Sequence, residues 1–162
     1  MPIVIDTNAF HLVFNAEHSR HADFAPIKQW IDRGHGVLLF GGTTFLKELK
    51  ECPYLRLVRL LKDESKALQI STAAVDTKTL EIRKLTKGTR CNDQHIMALL
   101  AAARCDLVCS DDKKSFHFLK NKQYFPKRTF SKNYKKIRIY SPSKKKILLT
   151  HLNGRKIFNI GE

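Results

Sequence analysis

Acidic side chains recur where a short apolar run ends or where a predicted helix begins. Asp6 and Asp112 each follow an apolar run, and Glu48 and Asp93 lie at or near the starts of two predicted helices. Carboxylates that lie close together repel one another, which costs free energy and raises their pKa values. A divalent cation bound between them removes this cost. Because no cluster of His or Cys accompanies these acids, the oxygen ligands favour Mg²⁺ or Mn²⁺ over Zn²⁺.

Such a set of carboxylates suits the hydrolysis of phosphodiester bonds. One bound ion lowers the pKa of a water molecule, and a second ion, where there are two, steadies the leaving oxygen. We expect Asp6 to be the central ligand, with Asp93 and Asp112 completing the site and Glu48 binding metal or orienting the water. Four polar neighbours are expected to support these ligands or to contact phosphate: Thr7, Asn8, Asn92 and Ser110.

The elements that must position these acids alternate between strands and helices. Short apolar runs at residues 3–5, 37–40 and 107–109 predict buried parallel strands, and residues 137–140 predict an edge strand. Residues 92–104 predict an Ala-rich helix, the clearest in the chain. We therefore predict an α/β fold, a three-layer α/β/α sandwich around a mainly parallel sheet. In such a sheet, strand ends and following helix starts share one edge, where ligands bind.

Two further helices are predicted from their apolar spacing, and a third short segment is left open. Leu60 is expected to be buried in a helix after Pro53, and Leu80 and Leu85 are expected to face inward from a helix over residues 77–85. Residues 68–70 are compatible with a minor strand or a connection.

Positive charge is concentrated in the last third of the chain. The net charge is +15, of which +14 falls in residues 113–162, where 15 Lys and Arg face a single acid, Glu162. This imbalance favours a polyanion partner, because aromatic residues interleaved with the lysines are typical of nucleic-acid binding. We expect RNA contacts from seven lysines: Lys113, Lys114, Lys135, Lys136, Lys144, Lys145 and Lys146. The aromatic residues expected to stack bases are Tyr124, Phe125, Phe130, Tyr134 and Tyr140.

Length, hydropathy and cysteine usage limit the broad class of protein. The 162 residues fit one globular domain, and no apolar run approaches the about 18 residues of a membrane span. The first apolar run lacks a preceding basic region, so a secretory signal is not expected. The four cysteines lie in or beside apolar segments without CxxC spacing. This pattern favours reduced core thiols over a zinc site, and it also favours a cytoplasmic location.

Four motifs, in order along the chain, resemble those of the PIN-domain nucleases. The first is the apolar-Asp-Thr-Asn opening that ends at Asn8, and the second is Thr43 to Leu49 with its acid at Glu48. The third is Asn92-Asp93 at the head of the Ala-rich helix, and the fourth is residues 107–116 with the pattern Ser-Asp-Asp. The resemblance covers about residues 2–142. We expect residues 1–142 to form the PIN-like domain and residues 143–162 to form a basic C-terminal extension packed on it.

The resemblance implies a Mg²⁺- or Mn²⁺-dependent endoribonuclease that uses one or two ions. It carries the acids onto Asp6, Glu48, Asp93 and Asp112, and the family pattern of Ser or Thr, any residue, then Asp selects Asp112 over its substitute Asp111. Many small members are toxins of bacterial toxin–antitoxin pairs and dimerise, while others process ribosomal RNA. RNA, an antitoxin protein and a second copy of the chain are thus the partners to consider, and no membrane is expected. The compact toxins often end shortly after the last strand and are less basic there, so the basic end of this chain differs from them.

Other interpretations of these residues stay open. Asp6 is compatible with a simple helix cap, and His95 is expected to have a surface or packing role. The domain is compatible with a PIN-like module that binds RNA without cutting it, or with an RNA-processing or ribosome-associated factor. A dehalogenase-like phosphatase is disfavoured, because its chemistry needs a second acid where this chain has Asn8.

Overall fold

A computed structural model of the chain describes residues 1–131 and 134–142. Five strands are present in this part: β1 (Pro2–Ile5), β2 (Val37–Gly41), β3 (Ala67–Ile70), β4 (Leu107–Cys109) and β5 (Arg138–Tyr140). The helices are α1 (Phe10–Phe14), α2 (His21–Asp32), α3 (Thr43–Glu51), α4 (Leu55–Asp63), α5 (Thr72–Leu85), α6 (Gln94–Ala103) and α7 (Phe116–Lys120).

All five strands are parallel and form one sheet in the order β3-β2-β1-β4-β5. The predicted α/β class and parallel sheet are therefore confirmed, and the helices between successive strands are consistent with a three-layer sandwich. β1 is the middle strand, and Ile3, Val4 and Ile5 are fully buried. A strand covered on both faces has no polar positions to spare, which explains why its sequence is a continuous apolar run.

The Ala-rich helix α6 is the most deeply buried helix of this part of the chain. It contacts α5 as well as β1, β2 and β3, and residues 95–101 are all buried. Its many alanines allow the helix axis to lie close to its neighbours. Asp93 is its N-cap residue, as the sequence predicts, and Arg104 closes it in a left-handed conformation.

Helices α4 and α5 correct part of the sequence prediction. α5 starts at Thr72 rather than residue 77, because the Ser71 hydroxyl accepts a hydrogen bond from the Ala74 N–H and caps it. Its buried positions are Val75, Thr79 and Ile82. Leu80 and Leu85 are exposed, because they lie off the face that packs on the core.

The prediction for Leu60 is wrong for the same reason. α4 buries Val58 and Leu61, and Leu60 points away from that face with half of its surface exposed. The segment at residues 68–70, left open by the sequence, belongs to β3 and pairs with β2.

The cysteines and the apolar content of the helices are as follows in the described residues. Cys52, Cys91, Cys105 and Cys109 are free thiols, and all but the half-buried Cys52 lie in the core. Across residues 1–131 and 134–142, none of the helices has the length and apolar character that a bilayer span requires. The extension at residues 143–162, including Lys144, Lys145 and Lys146, lies outside the described residues.

Candidate functional site

The order in which strands are added to the sheet reverses between β1 and β4. From β1 the chain first adds β2 and β3 on one side, and later adds β4 and β5 on the other. Where the strand order reverses, the carboxyl ends of the two strands leave a crevice in which ligands of such sheets bind. Asp6 directly follows β1, and residues 110–112 directly follow β4.

Asp6 is held at this crevice by contacts at both ends of the residue. Its N–H donates to the Cys109 carbonyl at 2.9 Å, which extends the pairing of β1 with β4 by one step. Its carboxylate accepts from the Ser110 hydroxyl at 2.9 Å and from the Asn8 N–H at 3.3 Å. Burial raises the pKa of Asp6 even though both hydrogen bonds favour the charged form. Asp6 is thus both a cap of the turn Thr7–Ala9 and a buried carboxylate with an unfavourable charge.

Ser110 connects Asp6 to the loop that carries Asp112. Its hydroxyl donates to Asp6 and accepts from the Asp112 N–H at 3.2 Å. The Asp112 carboxylate is exposed and accepts from the Lys114 N–H at 2.8 Å. The buried Ser110 side chain therefore fixes the loop backbone, while the Asp112 side chain stays open to solvent.

Glu48 reaches the same place from α3. Its Oε2 atom accepts from the Thr7 hydroxyl at 2.7 Å and lies 3.2 Å from Nε2 of His95. Partial burial raises the pKa of Glu48, but the hydrogen bonds from His95 and Thr7 outweigh it, so the pKa lies below its ordinary value. Because a carboxylate only accepts, Nε2 of His95 carries the proton of this contact.

The start of α3 is fixed by Gly42, which precedes it with φ +85° and ψ 148°. A Cβ atom there would lie 2.5 Å from Cγ1 of Val75, so only glycine fits between α3 and α5. Asp76 then accepts from the N–H and hydroxyl of Thr43 at 2.9 and 2.6 Å. These contacts set the direction of the helix that carries Glu48.

Asp93 is the acid on which the crowding acts most strongly. Burial and the nearby Asp6 carboxylate raise the pKa of Asp93 to about 6, with further contributions from Asp112 and Glu48. His95 offsets part of this rise. Asp93 is therefore coupled electrostatically to the other three acids predicted from the sequence. We call these four residues the acid cluster: Asp6, Glu48, Asp93 and Asp112.

Asp111 is engaged elsewhere, with Arg20. Both of its carboxylate oxygens accept from the guanidinium, at 2.7 and 2.8 Å, and this bond pulls the pKa of Asp111 below its ordinary value. Arg20 and Asp111 line a cavity of about 410 Å³ together with Lys113 and Phe116. The cavity opens beside Ser110, at the margin of the acid cluster.

Two asparagines and four lysines complete the predicted site residues that the structure describes. Asn8 contributes its backbone N–H, and the side chains of Asn8 and Asn92 are exposed. Lys113, Lys114, Lys135 and Lys136 are exposed, as binding would require.

The expectation of a stacking surface is wrong for three of the five aromatic residues. Phe125, Tyr134 and Tyr140 are buried in the core. The hydroxyls of Tyr134 and Tyr140 donate to the carbonyls of Cys105 and Asp23 at 2.8 and 2.9 Å. The rings therefore fasten the last strand to the domain instead of offering free faces.

The donor chemistry of the acid cluster fits a hard divalent cation, but the ligands are not pre-assembled. The donors are carboxylate oxygens, and their mutual repulsion raises the pKa of Asp93. Within residues 1–131 and 134–142, no three His, Cys, Asp or Glu side chains converge closely enough to hold an ion as they stand. Their oxygens instead accept hydrogen bonds from Ser110, Thr7, His95 and the Lys114 backbone. A cation would require some of these side chains to rotate.

The contacts of two residues of the site are not predicted from the sequence. Of the two roles expected for His95, a surface position is wrong, because the side chain is buried, where it also contacts Glu48. Arg20 has no local signal either, because its partner Asp111 lies 91 residues away in the chain. For His95, the position two residues after Asp93 is the only hint in the sequence.

Comparison with protein-family models, with curated proteins and with solved structures gives no significant match to this chain.

Proposed function

We propose that this chain is a PIN-like endoribonuclease that depends on Mg²⁺ or Mn²⁺, with Asp6, Glu48, Asp93 and Asp112 as its metal-binding and catalytic acids. The observation that carries the proposal is that four acids from four separate segments lie near the carboxyl ends of β1 and β4, where, in addition to burial, Asp6, Asp112 and Glu48 all raise the pKa of Asp93. A fold gains nothing in stability from placing carboxylates that repel one another near each other, so their placement is better explained by a cationic ligand.

The individual residues suit different tasks in this proposal. Asp6 is the most fixed acid, because its backbone extends the β1–β4 pairing and its side chain is held by Ser110. Asp112 is exposed on a loop and can move toward an ion or a phosphate. Glu48 stays charged through Thr7 and His95, which leaves it able to orient a water molecule or accept its proton.

A bound Mg²⁺ or Mn²⁺ would supply a water of lowered pKa and would neutralise charge on the phosphate. Asp111 is a poor substitute for Asp112, because using it would break its two bonds to Arg20. The proton on the Asp93 carboxyl group competes with a bound cation. The affinity of the site for Mg²⁺ or Mn²⁺ is therefore expected to rise as pH rises through about 6.

The charge of the chain favours RNA binding even without cleavage. The +14 net charge of residues 113–162 supports a polyanion partner whether or not the acids cut. A non-cleaving RNA-binding module is therefore the second candidate. A role as a toxin with an antitoxin partner, or in ribosomal RNA processing, is a further step of the same proposal, as is a homodimer.

The test is an RNA cleavage assay on purified protein. We expect cleavage with Mg²⁺ or Mn²⁺, none with chelator, and none by Asp6→Asn. Asp32→Asn is the matched control, because Asp32 lies on the surface in an ion pair with Lys28; it should cut like the parent. Cleavage that persists in chelator, or equal cleavage by Asp6→Asn, would contradict the proposal.

A further inference from the structure

A second feature lies outside the acid cluster, in a groove of about 610 Å³ between α5, the end of α6 and residues 127–129. Alanines of both helices line it, so a ligand can approach the helix backbones closely. Four basic residues surround these alanines, and we call the feature the basic groove: Lys78, Arg104, Lys127 and Arg128. They come from three separate parts of the chain and share no residue with the acid cluster.

The positive charge of the basic groove is largely unneutralised. No Asp or Glu lines it in the described part of the chain. Lys78 contacts the two carboxylate oxygens of Glu81 at 3.2 Å. Arg104, Lys127 and Arg128 are exposed and form no ion pair with another described residue. Asp76, the next acid along α5, is occupied by Thr43.

Both arginines of the basic groove occupy backbone conformations that are uncommon for residues other than glycine. Arg104 has φ +50° and closes α6 at the position where glycine is usual, and Arg128 has φ +67°. Glycine at either place would relieve the backbone but remove a cation from the groove. The chain has arginine at both positions.

We propose that the basic groove binds the sugar–phosphate backbone of an RNA strand at a distance from the acid cluster. Guanidinium and ammonium groups recognise phosphates, and the absence of aromatic residues from the described lining favours the backbone over stacked bases. Several cations on separate elements match successive phosphates better than one anion. The inference rests on the proposed function only in naming RNA as the polyanion.

The helix between the two sites gives their separation. Asp93 caps the start of α6 and Ala102 lies nine residues further, which is about 13 Å along the helix axis. A strand held in the groove therefore reaches the acid cluster only through additional nucleotides. The groove is expected to affect how tightly RNA binds and which part of it is presented for cleavage.

The test measures the affinity for a short unstructured RNA by fluorescence anisotropy, with chelator present, over a range of salt concentrations. The groove variant combines Arg104→Gln, Lys127→Gln and Arg128→Gln. The control combines Arg56→Gln, Arg59→Gln and Lys84→Gln, which removes the same charge from exposed positions outside the groove. Loss of three phosphate contacts should flatten the slope of log K against log salt by about 2, and weaken binding about 100-fold at about 0.1 M salt.

The control should keep a slope close to that of the parent. Equal slopes for the groove variant and the parent would overturn the proposal, as would equal losses in groove variant and control. Loss of binding to polyglutamate with unchanged RNA affinity would assign the groove to an acidic protein and also overturn it. If the triple variant melts early, Lys127→Gln alone should still lower the slope by about 0.7, and an unchanged slope would reject the groove.

Because no metal is present, this measurement is independent of cleavage. If the parent does not cut RNA but the groove variant shows the flattened salt slope, the proposed nuclease is rejected and the groove stands. If the parent cuts RNA but the groove variant keeps the parent's salt slope, the groove is rejected and the nuclease stands.

Discussion

Replacing Asp93 by Asn should make the metal-free protein more stable near neutral pH. Burial and the Asp6 carboxylate raise the pKa of Asp93 from its ordinary value near 3.8 to about 6. The folded chain therefore holds a proton that the unfolded chain releases, and stability falls as pH rises through the interval between these values. Asparagine carries no charge and avoids this loss. Asp93 makes no side-chain capping bond to α6, so no hydrogen bond to the helix is given up.

The magnitude follows from the same pKa. A difference of about two pH units corresponds to about 3 kcal/mol for a fully shielded group. Solvent screening of the partly exposed carboxylate, and loss of a favourable charge at the helix start, reduce this to about 1–2 kcal/mol. For a chain of this size, the gain is a melting temperature higher by about 3–6 °C.

Thermal unfolding with chelator, followed at about pH 4 and about pH 8, measures this effect. The variant and the parent should melt together at the lower pH, where Asp93 is protonated, and the variant should melt higher at the upper pH. Saturating Mn²⁺ should raise the melting temperature of the parent near neutral pH and raise that of the variant much less. Asp32→Asn serves as the surface control. A variant less stable than the parent at the upper pH, or a gain of equal size at both pH values, would refute the account of the crowded carboxylates.

Three further predictions concern the fold around the site and the RNA contacts. Gly42→Ala should lower the free energy of unfolding by about 2–4 kcal/mol in a denaturant titration, because its Cβ meets Val75 and its backbone conformation suits glycine alone; Gly34→Ala, with no atom near its Cβ, should cost clearly less. Asp112→Asn should abolish RNA cleavage, whereas Asp111→Asn should keep it and lose only the surface pair with Arg20; the opposite ranking would exchange their roles. Neutralising Lys144, Lys145 and Lys146 together should weaken RNA binding and flatten its salt dependence, and an unchanged affinity would remove that run from the interface.

The sheet could be predicted from the sequence because buried parallel strands leave a simple signal. A run such as residues 3–5, ended by Asp6, combines an apolar strand with the polar edge where it stops. The same signal locates residues 110–112 after β4 and, with the helix starts, brings Glu48 and Asp93 to one edge. These predictions depend on local patterns and on one rule of handedness.

The remaining features depend on contacts between distant segments. Leu60 and Leu80 fit an apolar helix pattern, but the neighbours of α4 and α5 decide which face is covered. His95 enters the site only because α3 brings Glu48 beside it. The basic groove is made by two helices and a loop, so no single stretch of sequence indicates it.

The choice between Asp111 and Asp112 also depends on tertiary structure. Both follow β4 and have the same chemistry, so local pattern alone does not separate them. In the structure, Asp111 pairs with Arg20 from the distant start of α2, while Asp112 raises the pKa of Asp93. The Ser110 hydroxyl, bonded to both Asp6 and the Asp112 backbone, fixes this division.

The central claim is that the acid cluster holds a divalent cation, and Mn²⁺ binding measured by electron paramagnetic resonance tests it most directly. The signal of free Mn²⁺ should fall when the parent protein is added near neutral pH, and should fall less below about pH 5, where Asp93 holds its proton. Asp6→Asn should bind little Mn²⁺, and Asp32→Asn should bind as the parent does. Uptake of Mn²⁺ by Asp6→Asn equal to that of the parent would contradict the claim.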